Sequence, residues 1–431
     1  VYDFLADVNG DDKRKMLNKE ETIDKEPLLN KDKVLGGGLY AEYRTDDARL
    51  TIEILKKAAS LGATIINYCE MDSFDYNKDS KIKNLNCIDN NTGNTIKITA
   101  RNYVSAAGPW VDKLRTKDHS MTNKYLHLTK GVHIVFPFEK LPIKQPIYFD
   151  VKDGRMIFAI PRGRTTYVGT TDTTYSGDLN HVIVTNGDAN YLLSAINRTF
   201  PTIKLTIDDI ESNWAGLRPL IHKKNKAPSE LSRKDELFIS ESGLISIAGG
   251  KLTGYRKMAH RVIEAVLETM SSKQKENIKT SKTENLALVT PSLNHTHLVK
   301  SYKKELEIKL QEIGISNTYQ AWYLCSTYGK QSDIIIEKSR AFENKNPLEC
   351  LIRAELWFCI HHEMTNSLSD FFVRRTGRLY FNIESVSKFK KIILDDFIEY
   401  FNWKQERINI ENETIDNLIK DATSLYDEDI N

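Results

Sequence analysis

Residues 245–266, ISIAGGKLTGYRKMAHRVIEAV, place small, cationic and hydroxyl side chains in an order that suits a bound anion or nucleotide. A β-prone run ends in two glycines, and an amphipathic helix follows. Glycines let the backbone approach a ligand closely, and the first N–H groups of a helix attract negative charge. The same order also suits a turn that only joins a strand to a helix. The residues of this turn that could meet a ligand are Gly249, Gly250, Lys251, Leu252 and Thr253.

A second stretch, SAAGPWVD at residues 105–112, repeats the order of strand, turn and helix. Ala107 and Gly108 are too small to block a ligand, Pro109 opens a short helix, and Trp110 could close one side of a site. A tight core turn with a packed tryptophan is the alternative. Because open α/β sheets bind ligands at the ends of their strands, the two turns together predict one shared nucleotide site.

Two further side chains could take part in chemistry. Arg218 in WAGLRPL lies among residues that constrain its backbone, and a guanidinium held in this way suits a carboxylate or a phosphate. An ordinary surface arginine is the alternative. His133 lies between Val132 and Ile134 on a predicted strand, where it is either a core residue or a general base.

The composition excludes several classes of function. Among 431 residues, 61 Lys and Arg against 59 Asp and Glu leave a net charge of +2, so no nucleic-acid surface is expected. Five cysteines lack the spacing of a metal site or a disulfide scaffold, which indicates a reducing compartment. The adjacent His361 and His362 point apart on a helix, so we expect no metal site there. No apolar run is long enough to span a bilayer, and a soluble or peripheral protein is expected.

The elements that position these residues are of three kinds. Residues 36–68 predict a β/α/β rhythm: a flexible turn at Gly36–Gly38, a strand at LYAEY, a helix from Thr45 to Leu61 and a buried strand at ATIINY. Residues 126–175 alternate as the strands of an antiparallel sheet do. From about residue 280 the apolar spacing is helical.

Taken together, these motifs resemble the FAD-dependent glycerol-3-phosphate dehydrogenases in order and spacing, over residues 16–405. The matching stretches are GGGLYAEYRTDDARLT, SAAGPWVD, LTKGVHIVF, DGRMIFAIPR, VGTTDT, WAGLRPL, LSRKDE, IAGGKLTGYRKMA and DFFVRRTGRLYF. The resemblance implies an α/β plus α+β fold, with an FAD-binding domain of the D-amino-acid-oxidase type interleaved with an antiparallel substrate domain, then an all-helical C-terminal domain. The implied boundaries are 36–119 and 243–270 for the FAD-binding domain, 1–35 and 120–242 for the substrate domain, 271–286 for a linker and 287–431 for the helical domain.

The resemblance also implies the reaction. It is the oxidation of sn-glycerol 3-phosphate at C2 to dihydroxyacetone phosphate, with the hydride passing to flavin N5 and the electrons onward to a quinone. His133, Arg218 and Lys251 are then the expected catalytic residues, with His133 as the base. Arg218, Lys251 and Arg233 are expected to bind the substrate. The implied FAD contacts are Ala107, Gly108, Pro109, Trp110, Gly249, Gly250, Lys251, Leu252 and Thr253.

One departure from the family concerns its N-terminal G-x-G-x-x-G turn, which binds the FAD pyrophosphate. The nearest candidate, Gly36–Gly38, is followed by a predicted strand instead of a helix. Together with Val1 in place of methionine, this leads us to expect an N-terminally truncated member. We expect an active full-length dehydrogenase, and weak or absent FAD binding by the 431-residue chain alone.

Two alternatives stay open at this point. A glycerol-3-phosphate oxidase would pass the electrons to oxygen and yield hydrogen peroxide, and an inactive remnant would fold or dock without catalysis. The resemblance implies a cytoplasmic location, with peripheral contact at the inner face of the membrane, and it leaves a homodimer open.

Overall fold

A computed structural model describes residues 13–223, 234–276, 278–343 and 346–427. The strands are β1 Lys15–Asn18, β2 Gly36–Leu39, β3 Cys69–Tyr76, β4 Ile82–Asp89, β5 Thr95–Ile98, β6 Tyr103–Ser105, β7 Lys124–Pro137, β8 Ile147–Asp150, β9 Met156–Arg162, β10 Thr165–Gly169, β11 Thr173–Thr174, β12 Ser212–Lys223, β13 Glu236–Ile239 and β14 Leu244–Ala248. The α-helices are α1 Lys19–Lys25, α2 Asp47–Ser60, α3 Val111–Lys117, α4 Asn186–Thr199, α5 Tyr255–Glu268, α6 Ser272–Lys275, α7 Thr296–Glu312, α8 Thr318–Tyr328, α9 Ser332–Ser339, α10 Pro347–Glu363, α11 Arg378–Phe381, α12 Ile383–Phe401 and α13 Gln405–Thr423.

The largest sheet has six antiparallel strands around β7. β12 pairs with β7 along one side, and β10 and β11 pair with its other side, followed by β9 and β8. Val132, Ile134 and Phe136 alternate on one face of β7 and are fully buried in a core that includes Leu192 and Ile196 of α4. The residues between them on β7 therefore point to the opposite face. The antiparallel sheet predicted for residues 126–175 is confirmed.

A smaller sheet holds the two small-residue turns. β14 pairs with β13 and, in parallel, with β6, so that Ser105 lies opposite Ser246. All five residues of β14 are buried, and Val262 and Ala265 of α5 pack against this strand. Because parallel neighbours end at the same edge of a sheet, the two turns emerge side by side.

The region around α2 agrees with the sequence in part. The predicted helix is confirmed, and Asp46 caps its first turn by accepting from the Arg49 N–H. The predicted strand at ATIINY is wrong: residues 63–68 form no strand, and Ile66 is 56% exposed. A strand needs a hydrogen-bonded neighbour, and no strand within the described ranges pairs with this segment.

The three glycines at 36–38 form strand β2, not the predicted flexible turn, and the strand ends at Leu39 rather than running through LYAEY. β2 pairs with β1, and a Cβ on Gly36 would lie 2.6 Å from the carbonyl oxygen of Leu17. Glycine is needed here because the two backbones approach so closely, not because the chain turns.

The C-terminal third is helical, as predicted, and is joined to α2 by a buried charge cluster. Arg49 contacts both oxygens of Glu363 on α10, with Nη1 3.0 Å from Oε2, and it also pairs with Glu53 at 2.8 Å. Lys56 lies 3.1 Å from Glu363 and 2.6 Å from Gln331. Burial alone would raise the pKa of Glu363, but the Arg49 charge and its hydrogen bonds outweigh burial and hold that pKa below its ordinary value.

No helix in the described ranges has the length and apolar character that a membrane span requires.

Replacing one member of this cluster should destabilise the protein strongly. We expect Glu363→Gln to lower the free energy of unfolding by about 3 kcal/mol, because it leaves the buried Arg49 guanidinium without its main counter-charge. Asp395→Asn, which removes an exposed partner of Lys391, is the matched control and should cost less than about 0.5 kcal/mol. Urea unfolding of both variants measures the difference. Equal effects would show that the cluster does not hold the helical part in place.

Candidate functional site

The pairing of β7 with β12 collects the candidate residues on one face of the large sheet. His133 lies opposite Trp214, Gly131 opposite Gly216, and Thr129 opposite Arg218. Directly opposite residues of an antiparallel pair project to the same side of the sheet. We call the surface formed by Thr129, Gly131, His133, Trp214, Gly216 and Arg218 the site face; it lies opposite the face that packs on α4.

Arg218 is held flat against β7. Its Nη1 donates to the carbonyl oxygen of Thr171 at 3.1 Å and its Nη2 to Oγ1 of Thr170 at 2.9 Å, while Asp172 lies 3.6 Å away. A Cβ on Gly131 would lie 2.5 Å from the guanidinium nitrogens, so glycine is required at that position. The Arg218 side chain is 37% exposed, which leaves part of an oriented cation accessible to an anionic ligand.

His133 is enclosed by aromatic rings. Its imidazole stacks on Trp214 with ring centroids 4.6 Å apart and an interplanar angle of 13°, and Phe158 lies 5.5 Å away. A Cβ on Gly169 would lie 2.4 Å from its Cδ2, so a second glycine makes room for the ring. Burial and, secondly, the Arg218 charge lower the pKa of His133 from 6.5 to about 3. The imidazole is therefore neutral at physiological pH.

One nitrogen of this imidazole lacks a partner. Nδ1 of His133 is buried and has no hydrogen-bond partner among the residues that the structure describes. Buried polar atoms without a partner are uncommon in proteins, and at a site they are candidates for contact with a ligand.

The turn after β14 is tightly packed at its glycines and open beyond them. Gly249 and Gly250 have φ angles of 76° and 79°, and a Cβ on Gly249 would lie 2.8 Å from the Lys234 carbonyl oxygen. Lys251, Leu252 and Thr253 are exposed ahead of α5, the amphipathic helix that the sequence predicts after the glycines, which begins at Tyr255. The glycines thus serve the local packing, while the exposed residues can meet a ligand.

The turn after β6 lies next to it. Gly108 has a φ of 53°, and a Cβ there would meet none of the described atoms within 4 Å. Trp110 is 38% exposed, and its Nε1 donates to Asn180 at 3.1 Å. Val111, Ala248 and Ile221 form one buried cluster, against which Ala107 packs. Ile221 lies on β12, three residues after Arg218, so this cluster connects both turns to that strand.

A cavity of about 320 Å³ opens beside the edge of β12. Pro109 and Trp110 line it from the turn, Trp214 and Gly216 from β12, and Tyr380 from the helical part. A Cβ on Gly216 would meet no described atom within 4 Å. The volume of the cavity is at the lower end for small-molecule sites. The residues that line it do not include His133, Arg218 or Lys251.

The predicted residues are thus brought together to different degrees. Arg218 and His133 lie on the same face of the sheet, where the Arg218 charge lowers the His133 pKa, whereas Lys251 and Thr253 are linked to them only through the turns. Arg233 lies outside the described residues. Within the described residues, no group of three or more His, Cys, Asp or Glu side chains is placed to hold a metal ion.

Sequence reasoning missed the residues that orient this pair, namely Gly131, Gly169, Thr170, Thr171 and Trp214. The signal was present in two of them, because a glycine inside a strand often marks a close approach by another group. The other contacts depend on strand register, which the sequence does not show.

Two family models match the chain. The model described as FAD dependent oxidoreductase matches residues 2–256. The model described as the C-terminal domain of alpha-glycerophosphate oxidase matches residues 281–408. The first match covers the α/β and antiparallel part of the chain, and the second covers the helical part.

Relatives of named function are similar over nearly all of the chain. The aerobic glycerol-3-phosphate dehydrogenase of Bacillus subtilis is 44% identical over 98% of this chain and 76% of its own length. That of Staphylococcus aureus is 43% identical over the same shares. The structure of a glycerol-3-phosphate dehydrogenase from Bacillus halodurans complexed with FAD is 40% identical with a TM-score of 0.83, over 95% of this chain and 80% of that chain. The chain therefore belongs to the FAD-dependent oxidoreductases of the D-amino-acid-oxidase fold and, among them, to the aerobic glycerol-3-phosphate dehydrogenase family.

Proposed function

We propose that this protein oxidises sn-glycerol 3-phosphate at C2 to dihydroxyacetone phosphate with the help of FAD. The observation that carries the proposal is the presence of an oriented, accessible Arg218 guanidinium and a neutral, half-buried His133 on the same site face. One group suits the phosphate and the other suits the proton of the C2 hydroxyl. The names of the relatives supply the substrate to which this chemistry is fitted.

The described residues fit a flavin in two respects. Open space lies beside Gly108 and Gly216, and the exposed Leu252 and Thr253 precede the N-terminus of α5. We therefore propose that the turns at 107–110 and 249–253 hold FAD. When bound, FAD supplies the hydride acceptor of the reaction. The helix N-terminus favours negative charge next to it, as an electron-rich ring requires.

Arg218 binds the substrate phosphate in this proposal. Thr170 and Thr171 fix two of its nitrogens, so less side-chain entropy is lost when an anion binds. A phosphate dianion needs about two cationic or N–H contacts in a partly dry pocket, and Lys251 and Arg233 are the proposed additional cations. Holding the phosphate fixes the position of C2 relative to His133.

His133 accepts the proton of the C2 hydroxyl in this proposal. Its pKa of about 3 without a ligand makes it a weak base, and burial is the main cause, with Arg218 the second. A phosphate dianion at Arg218 offsets that second contribution and shifts the His133 pKa upwards. Binding of the substrate thereby strengthens the base that acts on it.

We propose a quinone as electron acceptor, supported by the dehydrogenase names of the relatives. The quinone would be met at the inner face of the cell membrane by a cytoplasmic, peripheral protein. Comparing quinone-analogue reduction with peroxide yield tests the acceptor, and stoichiometric peroxide would favour the oxidase. A homodimer and weak FAD binding by this chain stay predictions, so FAD is supplied in excess in the assays below.

Arg218→Ala should lower kcat/KM for sn-glycerol 3-phosphate by about 100-fold, because a charge-assisted hydrogen bond contributes about 1.5–3 kcal/mol. Arg155→Ala is the matched control: Arg155 lies over the Tyr191 ring on the α4 side of the sheet and should change kcat/KM less than about 2-fold. Steady-state dye reduction measures both. Unchanged kinetics in Arg218→Ala would remove Arg218 from the site.

The low pKa of His133 should make the free energy of unfolding depend on pH. With a pKa of about 3 in the folded protein and 6.5 when unfolded, the unfolded chain binds more protons between these values, so stability falls as the pH drops through this window. From pH 7 to pH 5 the wild type should lose about 2 kcal/mol relative to His133→Phe, which keeps an aromatic ring but cannot titrate. Urea unfolding at the two pH values measures this difference. Parallel losses in both proteins would show that His133 is not buried as a neutral group.

A further inference from the structure

The Trp214 ring contacts both the His133 imidazole and the C-terminal helical part. It stacks on His133, and Tyr380 and Phe381 of α11 each lie with ring centroids 5.4 Å from it. Phe381 also contacts Tyr167, which lies 6.3 Å from His133. A continuous aromatic contact thus connects a residue far along the chain with the proposed base.

The α11 segment is firmly fixed from the helical side. Arg378 at its start is buried and pairs with Glu355 at 2.5 Å. Glu355 also accepts hydrogen bonds from the hydroxyl groups of Tyr323 and Tyr328, at 2.5 and 2.8 Å. The charge of Glu355 is paired and both of its oxygens accept hydrogen bonds, so the start of α11 resists displacement.

The same segment is also fixed from the side of the sheet. Ser212 Oγ donates to the Tyr380 carbonyl oxygen at 2.6 Å, and Arg164 Nη1 donates to that of Phe381 at 3.3 Å. The Arg162 guanidinium lies 4.0 Å from the centre of the Phe381 ring. These contacts leave the two rings little freedom to move away from Trp214.

We propose that Trp214 is a positioning residue for His133, and that the C-terminal helical part sets the place of Trp214 through Tyr380 and Phe381. The proposal rests on the proposed function, because it assigns a task to a face whose reaction is itself proposed. It gives the helical part a role in the chemistry of the site face through ring packing against Trp214.

Ring packing carries this task because hydrogen bonding does not. Most histidine bases are oriented by a hydrogen-bond partner on the second imidazole nitrogen. His133 Nδ1 has no such partner among the described residues. The orientation of the ring therefore depends on Trp214 and Phe158, and on the room that Gly169 leaves. A small displacement of a reacting group can cost about 100-fold in rate, so loss of this packing should be visible in turnover.

The imidazole provides a readout that is independent of turnover. The charged or titratable groups facing it are Arg218 on β12 and Tyr167 on β10, while β9 contributes only Phe158. Loosening the aromatic contact admits water to the ring, and water favours the charged form. The midpoint of the His133 titration then moves from its low value towards 6.5.

The experiment compares Phe381→Ala and Trp214→Ala with Trp214→Phe and with Phe401→Ala. Phe401 is 40% exposed on α12, so its replacement removes an equal ring from the same helical part without a contact to Trp214. Each protein, loaded with FAD, is assayed with sn-glycerol 3-phosphate. His133 is titrated by NMR through its ¹³C-labelled imidazole, assigned with His133→Phe, and binding of inorganic phosphate reports on Arg218.

We expect Phe381→Ala and Trp214→Ala to lower kcat by about 10-fold while KM and phosphate affinity change less than about 3-fold, since substrate binding through Arg218 is kept. The His133 titration midpoint should rise in both. Trp214→Phe should restore at least about a third of kcat because it keeps a stacking ring.

Two outcomes would overturn the proposal. One is an unchanged His133 titration and kcat in Phe381→Ala. The other is a loss in Phe401→Ala equal to that in Phe381→Ala, which would indicate general damage to the helical part. If the wild type binds FAD but does not oxidise sn-glycerol 3-phosphate, the proposed function fails, and the NMR titration still decides whether α11 positions the imidazole.

Discussion

The antiparallel pairing of β7 with β12 is the constraint on which the candidate site depends. It aligns residues over the whole length of β12, from Ser212 opposite Val135 to Lys223 opposite Lys124. A slip of one residue would move His133 or Arg218 to the face that packs on α4. The buried core of Val132, Ile134 and Phe136 opposes such a slip, because it would place these apolar side chains on the site face. Packing of the core on the α4 side of the sheet thus fixes which side chains lie on the site face.

Two glycines turn this register into a site. Because Gly131 has no side chain, the Arg218 guanidinium can lie against the strand. Gly169 leaves room for the His133 ring in the same way. Both therefore act by leaving space, and a methyl group at either position would displace a functional side chain. The site face therefore carries a partly exposed cation, Arg218, and a neutral imidazole, His133. One anion bound at Arg218 pairs with its charge and also raises the pKa of His133.

Much of the fold could be predicted from the sequence. The helix at Asp47–Ser60 has a cap, an apolar stripe and a glycine stop, and the antiparallel sheet has clear alternation, so local patterns sufficed. Residues 63–68 and Gly36–Gly38 were mispredicted because a strand is defined by its partner, which no local pattern reveals. The apolar residues at 63–68 have no partner strand within the described part of the chain, whereas the glycines at 36–38 pair with β1.

The site was predictable in its parts and not in its assembly. Arg218 and His133 were singled out by residue type and neighbours, and their carry-over from the family gave them roles. The stack on Trp214 could not be foreseen, since it requires the register of β12 and a contact from Phe381, more than 160 residues along the chain. The packing role of Gly249 and Gly250 was likewise hidden, because it depends on Lys234 and Met258.

We propose that the site face presents a phosphorylated alcohol to bound FAD for oxidation. Anaerobic addition of sn-glycerol 3-phosphate to the FAD-loaded protein tests it most directly, with the visible absorption of oxidised flavin as the signal. We expect this absorption to be lost with sn-glycerol 3-phosphate and kept with glycerol, which lacks the phosphate that Arg218 is proposed to bind. A protein that holds FAD and keeps the absorption with both compounds would contradict it.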